Sequence, residues 1–170
     1  MLQIRTFQPA DAETVRRLFA NGQLDFARDT NLEEEVRRYI QRSLLDDLAD
    51  IPHHYQSQSG SDFWVAEVDG EIKGIVGVQR RSHEEAELRR MSVASGSRRQ
   101  GIGRRLLETV EDFCRQEGYQ RIHLTTVSQL QPAIAMYQRC GYQLTGQEAY
   151  GNIMGQHFVK YLDHPQAADC

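Results

Sequence analysis

The chain has 170 residues, a formal net charge of -4 and 39% hydrophobic residues, the size and balance of one folded domain with a substantial core. No apolar run approaches the ~20 residues of a membrane helix, and no basic-then-apolar leader opens the chain. Three cysteines (Cys114, Cys140, Cys170) without CxxC spacing argue against a disulfide framework or a zinc knuckle, so a reducing cytoplasm is the expected location and no metal is expected.

Leu2 to Phe7 alternates apolar and polar residues and predicts a short strand. Gln8-Pro9-Ala10-Asp11 opens a helix with Val15, Leu18 and Phe19 on one face, expected to close near Asn21-Gly22. Leu32 to Leu48 predicts a second helix, with acidic residues Glu33, Glu34 and Glu35 at its dipole-positive start. Asp50 to Asp62 holds Pro52, His53, His54, Tyr55 and a Gln-Ser-Gln-Ser-Gly-Ser run, and is expected to be a surface loop. Phe63 to Val68 and Glu71 to Arg81 predict a hairpin turning at Asp69-Gly70. Gly74 and Gly77 inside its second strand predict a bulge or a close backbone approach.

Ala86 to Val93 predicts a further strand, but its apolar positions Leu88, Met91 and Val93 break the two-residue period. A β-bulge near Arg89-Arg90 restores one buried face and splays the strands, which makes room for a ligand. Gly101 to Glu117 predicts the strongest helix, striped by Ile102, Leu106, Leu107, Val110, Phe113 and Cys114 and ended by Gly118. Arg121 to Val127 predicts a strand. Ser128-x-x-Gln131 resembles a capping box ahead of a helix running to Cys140 and stopping at Gly141. Tyr142 to Thr145 and Gln156 to Leu162 predict two strands joined by a turn containing Gly146, Gly151 and Gly155. His164 to Cys170 is expected to be a frayed tail. The order β-α-α-β-β-β-α-β-α-β-β predicts an α/β (α+β) domain over residues 1–163: a mixed, mostly antiparallel sheet with helices on both faces.

One feature of the composition has a local focus. Of twenty basic residues only Lys73 and Lys160 are lysines, and Arg98, Arg99, Arg104 and Arg105 crowd into eight residues. The segment Arg98-Arg99-Gln100-Gly101-Ile102-Gly103-Arg104 lies between a strand and a long amphipathic helix. Its glycines allow a ligand to approach the backbone, and the free N–H groups of a helix start hold an anion. This is a pyrophosphate cradle or, equally, a glycine-containing helix start with solvated arginines. A dinucleotide fingerprint needs a third glycine where Leu106 stands, and a P-loop needs Gly-Lys-Ser/Thr. The acidic overall balance disfavours nucleic acid as a partner.

Arg98-x-x-Gly101-x-Gly103, placed after a strand ending Met91-Ser92-Val93, resembles the acetyl-CoA loop of the GNAT N-acetyltransferase superfamily. Ala133-Ile134-Ala135-Met136-Tyr137-x-x-x-Gly141-Tyr142 is similar to a second segment of that superfamily. Asp50-Ile51-Pro52-x-x-Tyr55, Phe63-Trp64-Val65-Ala66-Glu67, Gly74-x-Val76-Gly77 and Leu88-x-x-Met91-Ser92-Val93 resemble its camello-type group, which includes cysteine-conjugate N-acetyltransferases, over roughly residues 45 to 150. Animal members of that group carry a membrane-associated hydrophobic stretch where this chain has the charged, amphipathic Glu33 to Ala49, so no membrane partner is expected.

The resemblance implies the GNAT fold with a central splay, acetyl-CoA as co-substrate, an amine acceptor and a homodimer. It implies cofactor contacts at Met91, Ser92, Val93, Arg98, Arg99, Gln100, Gly101, Ile102, Gly103 and Arg104. The Val93 N–H would polarise the thioester carbonyl. An alkyl ammonium with a pKa of about 10.4 is free base only to about one part in 2,500 at pH 7. Glu87 matches the position of a general base, and is otherwise a solvated edge glutamate. Tyr137 matches the general acid that protonates the leaving thiolate, and is otherwise a core aromatic. His53-His54 reads as a loop pair, His123 as structural and Cys140 as a packing residue, while Tyr55, Trp64, Tyr150 and Tyr161 are candidates to line an acceptor pocket or simply core and rim. A protein lysine or N-terminal acetyltransferase and a non-catalytic acetyl-CoA-binding module remain alternatives.

Overall fold

A computed structural model describes residues 1–28 and 30–163; the expected tail from residue 164 lies outside them. The elements are β1 (Leu2–Thr6), α1 (Ala12–Ala27), α2 (Glu33–Leu45), β2 (Asp62–Val68), β3 (Glu71–Arg80), β4 (Glu85–Val93), α3 (Ile102–Gln116), β5 (Arg121–Val127), α4 (Gln131–Arg139), β6 (Gln143–Tyr150) and β7 (Ile153–Tyr161). The described strands form one sheet in the order β1-β2-β3-β4-β5-β7-β6. Its neighbours are antiparallel apart from β4 and β5, which are parallel because α3 carries the chain back across one face between them.

Side-chain alternation divides the core in two. Trp64, Ala66, Val76, Val78, Ala86 and Leu88 point to the face covered by α3 and α4. Phe63, Val65 and Ile75 point to the opposite face, under α1 and α2. On α3 the residues Ile102, Leu106, Leu107, Val110 and Cys114 are buried together, and Gly118 at φ 84 ends the helix. The β2–β3 turn has positive φ at both Asp69 (52°) and Gly70 (84°), the geometry of a tight two-residue hairpin.

The strand period broken in β4 is a bulge. Ile75 pairs with Ser92 and Gly77 with Arg89, so Val76 alone faces Arg90 and Met91. Arg90 takes φ 59, a left-handed conformation costly for a residue with a Cβ. Parallel pairing of β4 with β5 ends at Glu87–His123, and beyond it the strands diverge.

Four expectations need correction. Helix α1 does not close near Asn21-Gly22 but runs to Ala27, because Leu24, Phe26 and Ala27 extend its apolar contacts. Asp50 to Asp62 is a surface turn only in its second half, where residues 56–59 are exposed. It forms a widened helical turn at Pro52–Gln56, in which Ser57 N–H donates to the Pro52 carbonyl (2.8 Å), and it buries Ile51 and Tyr55. The last two strands are longer than their apolar residues suggest, and their turn is the tight Gly151-Asn152. Ser128 does not cap α4: Gln131 Nε2 donates to the Ser128 carbonyl and no side chain caps Leu130.

Candidate functional site

Past Glu87 the gap between β4 and β5 opens into a cleft of about 2430 Å³. Helices α1 and α2 wall one side, and α3 and α4 the other. The β4 edge facing this gap has lost its β5 partner, so its backbone groups are open to an extended ligand.

The glycine segment sits at one end of the cleft. Arg99 (φ 63) and Gly101 (φ 80) reverse the chain so that α3 starts pointing into it. Arg105 N–H donates to the Gly101 carbonyl (3.1 Å), which leaves the N–H groups of Ile102, Gly103 and Arg104 without acceptors in the helix. A Cβ at Gly103 would stand 2.9 Å from Met136 Sδ, so glycine lets α4 close against the start of α3. Arg98 reaches Asp25 at 3.5 Å and Arg104 reaches Glu108 at 3.3 Å; both are exposed pairs of small net value. Exposed Arg99 has no carboxylate partner among the described residues. Arg98, Arg99, Gly101, Ile102, Gly103 and Arg104 all line the cleft, and so do Met91, Ser92 and Val93. Gln100 is exposed and does not.

Glu87 and Tyr137 approach the cleft from opposite faces of the sheet. Ala86 and Leu88 belong to the α3–α4 core, so Glu87 points the other way, beside His123 of β5. That side is polar. His123 stacks on His157 (5.3 Å between centroids), and His157 Nδ1 lies 2.9 Å from Thr125 Oγ1. Tyr150 donates to Glu148 at 2.9 Å. Burial, helped by the Arg81 charge, lowers the His123 pKa and keeps that imidazole neutral. Tyr137 stands in the apolar core, 5.8 Å from the Tyr142 ring and 4% exposed, while still lining the cleft. Burial pushes its phenol well above the ordinary tyrosine value, so it holds its proton.

The α1–α2 wall contains a network that sequence reading missed. Arg90, at the bulge, forms a two-bond pair with Asp47 (Nη2–Oδ1 2.6 Å, Nε–Oδ2 3.0 Å), with side chains 5% and 2% exposed. Its Nη1 also donates to Tyr39 Oη (2.8 Å) and Ser43 Oγ (3.0 Å), and Tyr55 Oη donates to Asp47. Burial alone would raise the Asp47 pKa, but the Arg90 bonds and charge, with the Tyr55 hydroxyl, outweigh it and hold the carboxyl below its ordinary value. The signal was present as two adjacent arginines at the break in the strand period; the partners of Arg90, 43 to 51 residues upstream, carry no motif.

Of the pocket candidates, Tyr150 lines the cleft. Tyr55 and Trp64 do not: Tyr55 is fully buried against Phe63, and Trp64 packs on Phe113. Tyr161 is exposed away from the cleft. Cys140 is half-buried and lines it. His53 and His54 touch edge to face on the turn before β2.

A family model described as "Acetyltransferase (GNAT) family" matches residues 26–142. N-acetyltransferase 8 of Rattus norvegicus is 39% identical over 123 residues, 69% of this chain and 55% of its own length. N-acetyltransferase 8 of Homo sapiens is 34% identical over 134 residues, 74% of this chain and 59% of its own. The probable N-acetyltransferase camello of Xenopus tropicalis is 34% identical over 128 residues, covering 74% and 58%. The chain thus spans less than two thirds of these relatives' lengths. Among solved structures, a GNAT acetyltransferase from Staphylococcus aureus MU50 superposes with a TM-score of 0.80 at 22% identity, covering 96% of this chain and 100% of that one. The PaiA N-acetyltransferase of Thermoplasma acidophilum, solved in complex with coenzyme A, gives 0.78 at 19% identity, covering 95% and 99%. These two likenesses speak to the fold.

Proposed function

Because the chain belongs to the GNAT acetyltransferase family, we propose that it moves the acetyl group of acetyl-CoA to a primary amine, on a small molecule or amino-acid conjugate, by direct attack in a ternary complex. The observation that carries this reading is the meeting, in one cleft, of an unpaired β4 edge, a helix start with free N–H groups and a buried tyrosine. The pyrophosphate sits on the N–H groups of Ile102, Gly103 and Arg104, with Arg98 and Arg99 supplying charge. The pantetheine arm runs along the Met91–Val93 edge as an added strand, and the Val93 N–H polarises the thioester carbonyl. Residues 1–163 act as one domain, and the free thiols Cys114 and Cys140 suit a reducing, cytoplasmic setting.

The acceptor ammonium gives up a proton to Glu87, directly or through water, on the polar side of the cleft. The free amine attacks the thioester carbon, the C–N bond forms and the C–S bond breaks. The Tyr137 phenol, which burial keeps protonated, gives its proton to the departing thiolate and regains one from solvent before the next turnover.

The test is a turnover screen: free thiol released from acetyl-CoA with amino acids, cysteine S-conjugates, polyamines, aminoglycosides and lysine peptides. Amine-dependent release from any class supports the enzyme, and the class identifies the acceptor. Tight acetyl-CoA binding without turnover across the panel would make the chain a non-catalytic binding module.

A further inference from the structure

Arg90 stands where β4 changes direction. One residue of β3 faces two of β4, and the second member of that pair, Met91, opens the edge assigned above to the thioester. Arg90 holds a left-handed φ that a side chain disfavours. Such a conformation persists where surrounding structure over-determines it, and here the constraint is visible. The guanidinium is gripped by Asp47, Tyr39 and Ser43, and lies over the rings of Phe19 (5.1 Å) and Tyr39 (5.7 Å). Its partners belong to α1, α2 and the turn after α2. Asp47 is itself fixed by Tyr55. The bulged residue of the cofactor strand and the helical wall of the cleft are therefore one connected unit.

We propose that Arg90 is a positioning residue of this site: its two-bond clamp on Asp47 holds the β4 bulge at the angle that presents the Met91–Val93 backbone to the thioester carbonyl. The proposal rests on the assignment of that edge to acetyl-CoA. Lysine is a point charge and cannot reproduce the two-pronged geometry. A purely packing role, by contrast, would be met by a neutral pair of similar volume.

The experiment uses acetyl-CoA labelled at the thioester carbonyl and difference infrared spectroscopy on the whole protein. Bound to the unsubstituted protein, the carbonyl band moves to lower frequency, as a hydrogen-bonded carbonyl does. In Arg90→Met/Asp47→Asn, where the new amide still accepts from Tyr55, the protein stays folded by thermal melt but at least half of that movement is lost. With the best amine from the turnover screen, kcat falls by roughly 10- to 100-fold, the scale of a sub-ångström to ångström misplacement, while acetyl-CoA affinity, set by the distant phosphate loop, changes little. Arg90→Lys behaves like the double variant. A full band shift and full kcat in the folded double variant, or full recovery in Arg90→Lys, overturns the clamp while leaving the edge assignment standing. No band movement in the unsubstituted protein, despite tight binding, overturns both.

Discussion

Gly74→Ala tests how tightly the start of α3 is built against the sheet. A Cβ at Gly74 would stand 2.9 Å from Ile102 Cγ2 and from Leu106 Cδ1, and 3.4 Å from Ala66 Cβ. Carbon atoms in good contact sit ~3.5–4.0 Å apart, so α3 must move out by roughly 0.6–1 Å. Overpacking of this kind costs ~1–3 kcal/mol, and replacing a strand glycine returns ~0.5–1 kcal/mol through lower unfolded-state entropy. The net loss is centred on about 1 kcal/mol and reaches at most about 2.5 kcal/mol, a central fall in Tm of ~2–4 °C for a chain of this length. Ile102 is also the first helical residue with a free N–H, so the same movement misdirects a phosphate donor. Partial loss of a bond to a charged group, worth ~1.5–3 kcal/mol when complete, weakens acetyl-CoA binding by roughly 3- to 10-fold. Thermal melts and calorimetric titration with acetyl-CoA read the two effects. Gly96→Ala is the control, because a Cβ there meets nothing within 4 Å. An unchanged Tm in Gly74→Ala would refute the packing argument, and a lowered Tm with unchanged acetyl-CoA affinity would refute the donor assignment.

Tyr137→Phe is expected to lower kcat by ~10²–10⁴-fold, the span of a general acid–base contribution, with acetyl-CoA affinity preserved; an unchanged kcat removes the acid role. Arg99→Ala takes away an exposed charge without a carboxylate partner among the described residues, so it should weaken acetyl-CoA binding several-fold and flatten the dependence of that affinity on salt; titrations across a salt series decide it. The Asp47 carboxyl is held below its ordinary value. Its stabilising contribution is therefore complete above the unfolded pKa of about 3.9, and is lost as pH falls through the lower folded value. Melts between about pH 6 and about pH 2 should show Asp47→Asn less stable than the unsubstituted protein at the upper end, the gap narrowing as pH falls below the unfolded value; parallel curves would show that the pair does not govern this window.

What was legible in the sequence was local. The β4 bulge followed from a three-residue step between Leu88 and Met91, because a strand that buries one face must insert a residue to keep it buried. The glycine segment followed from the conformations only glycine takes readily, and the structure puts Gly101 at φ 80. What was not legible depended on distant partners. Polar composition made Asp50 to Asp62 read as a loop, yet Tyr55 is buried there because Asp47 supplies the acceptor its hydroxyl needs. Gly22 suggested a helix end, but α1 continues through it because Leu24, Phe26 and Ala27 beyond it pack on the core. Polar residues hid the length of β6, an edge strand held by its backbone ladder to β7 rather than by an apolar face.

The two sides of the splay differ in a way that suits the direction of transfer. On the α3–α4 side Tyr137 is enclosed with Tyr142 among apolar residues, and burial raises both phenols. A site of that kind disfavours any stranded anion, phenolate as much as thiolate, so the Tyr137 phenol keeps its proton until a thiolate forms beside it and must regain one from solvent afterwards. On the opposite face Glu87 stands with His123, and the hairpin of β6 and β7 brings Tyr150, Glu148 and His157 alongside. That setting tolerates a cation entering and a proton leaving. Under the proposed roles, an amine arriving from this side would meet polar surroundings suited to the loss of its proton. On the proposed assignment the acceptor would lie against the α1–α2 wall, which Arg90 joins to β4 through Asp47. Under that assignment a substitution in the wall, Asp47→Asn among them, should change both the preferred amine in the turnover screen and the infrared shift of the bound thioester carbonyl; a change in one alone would separate them.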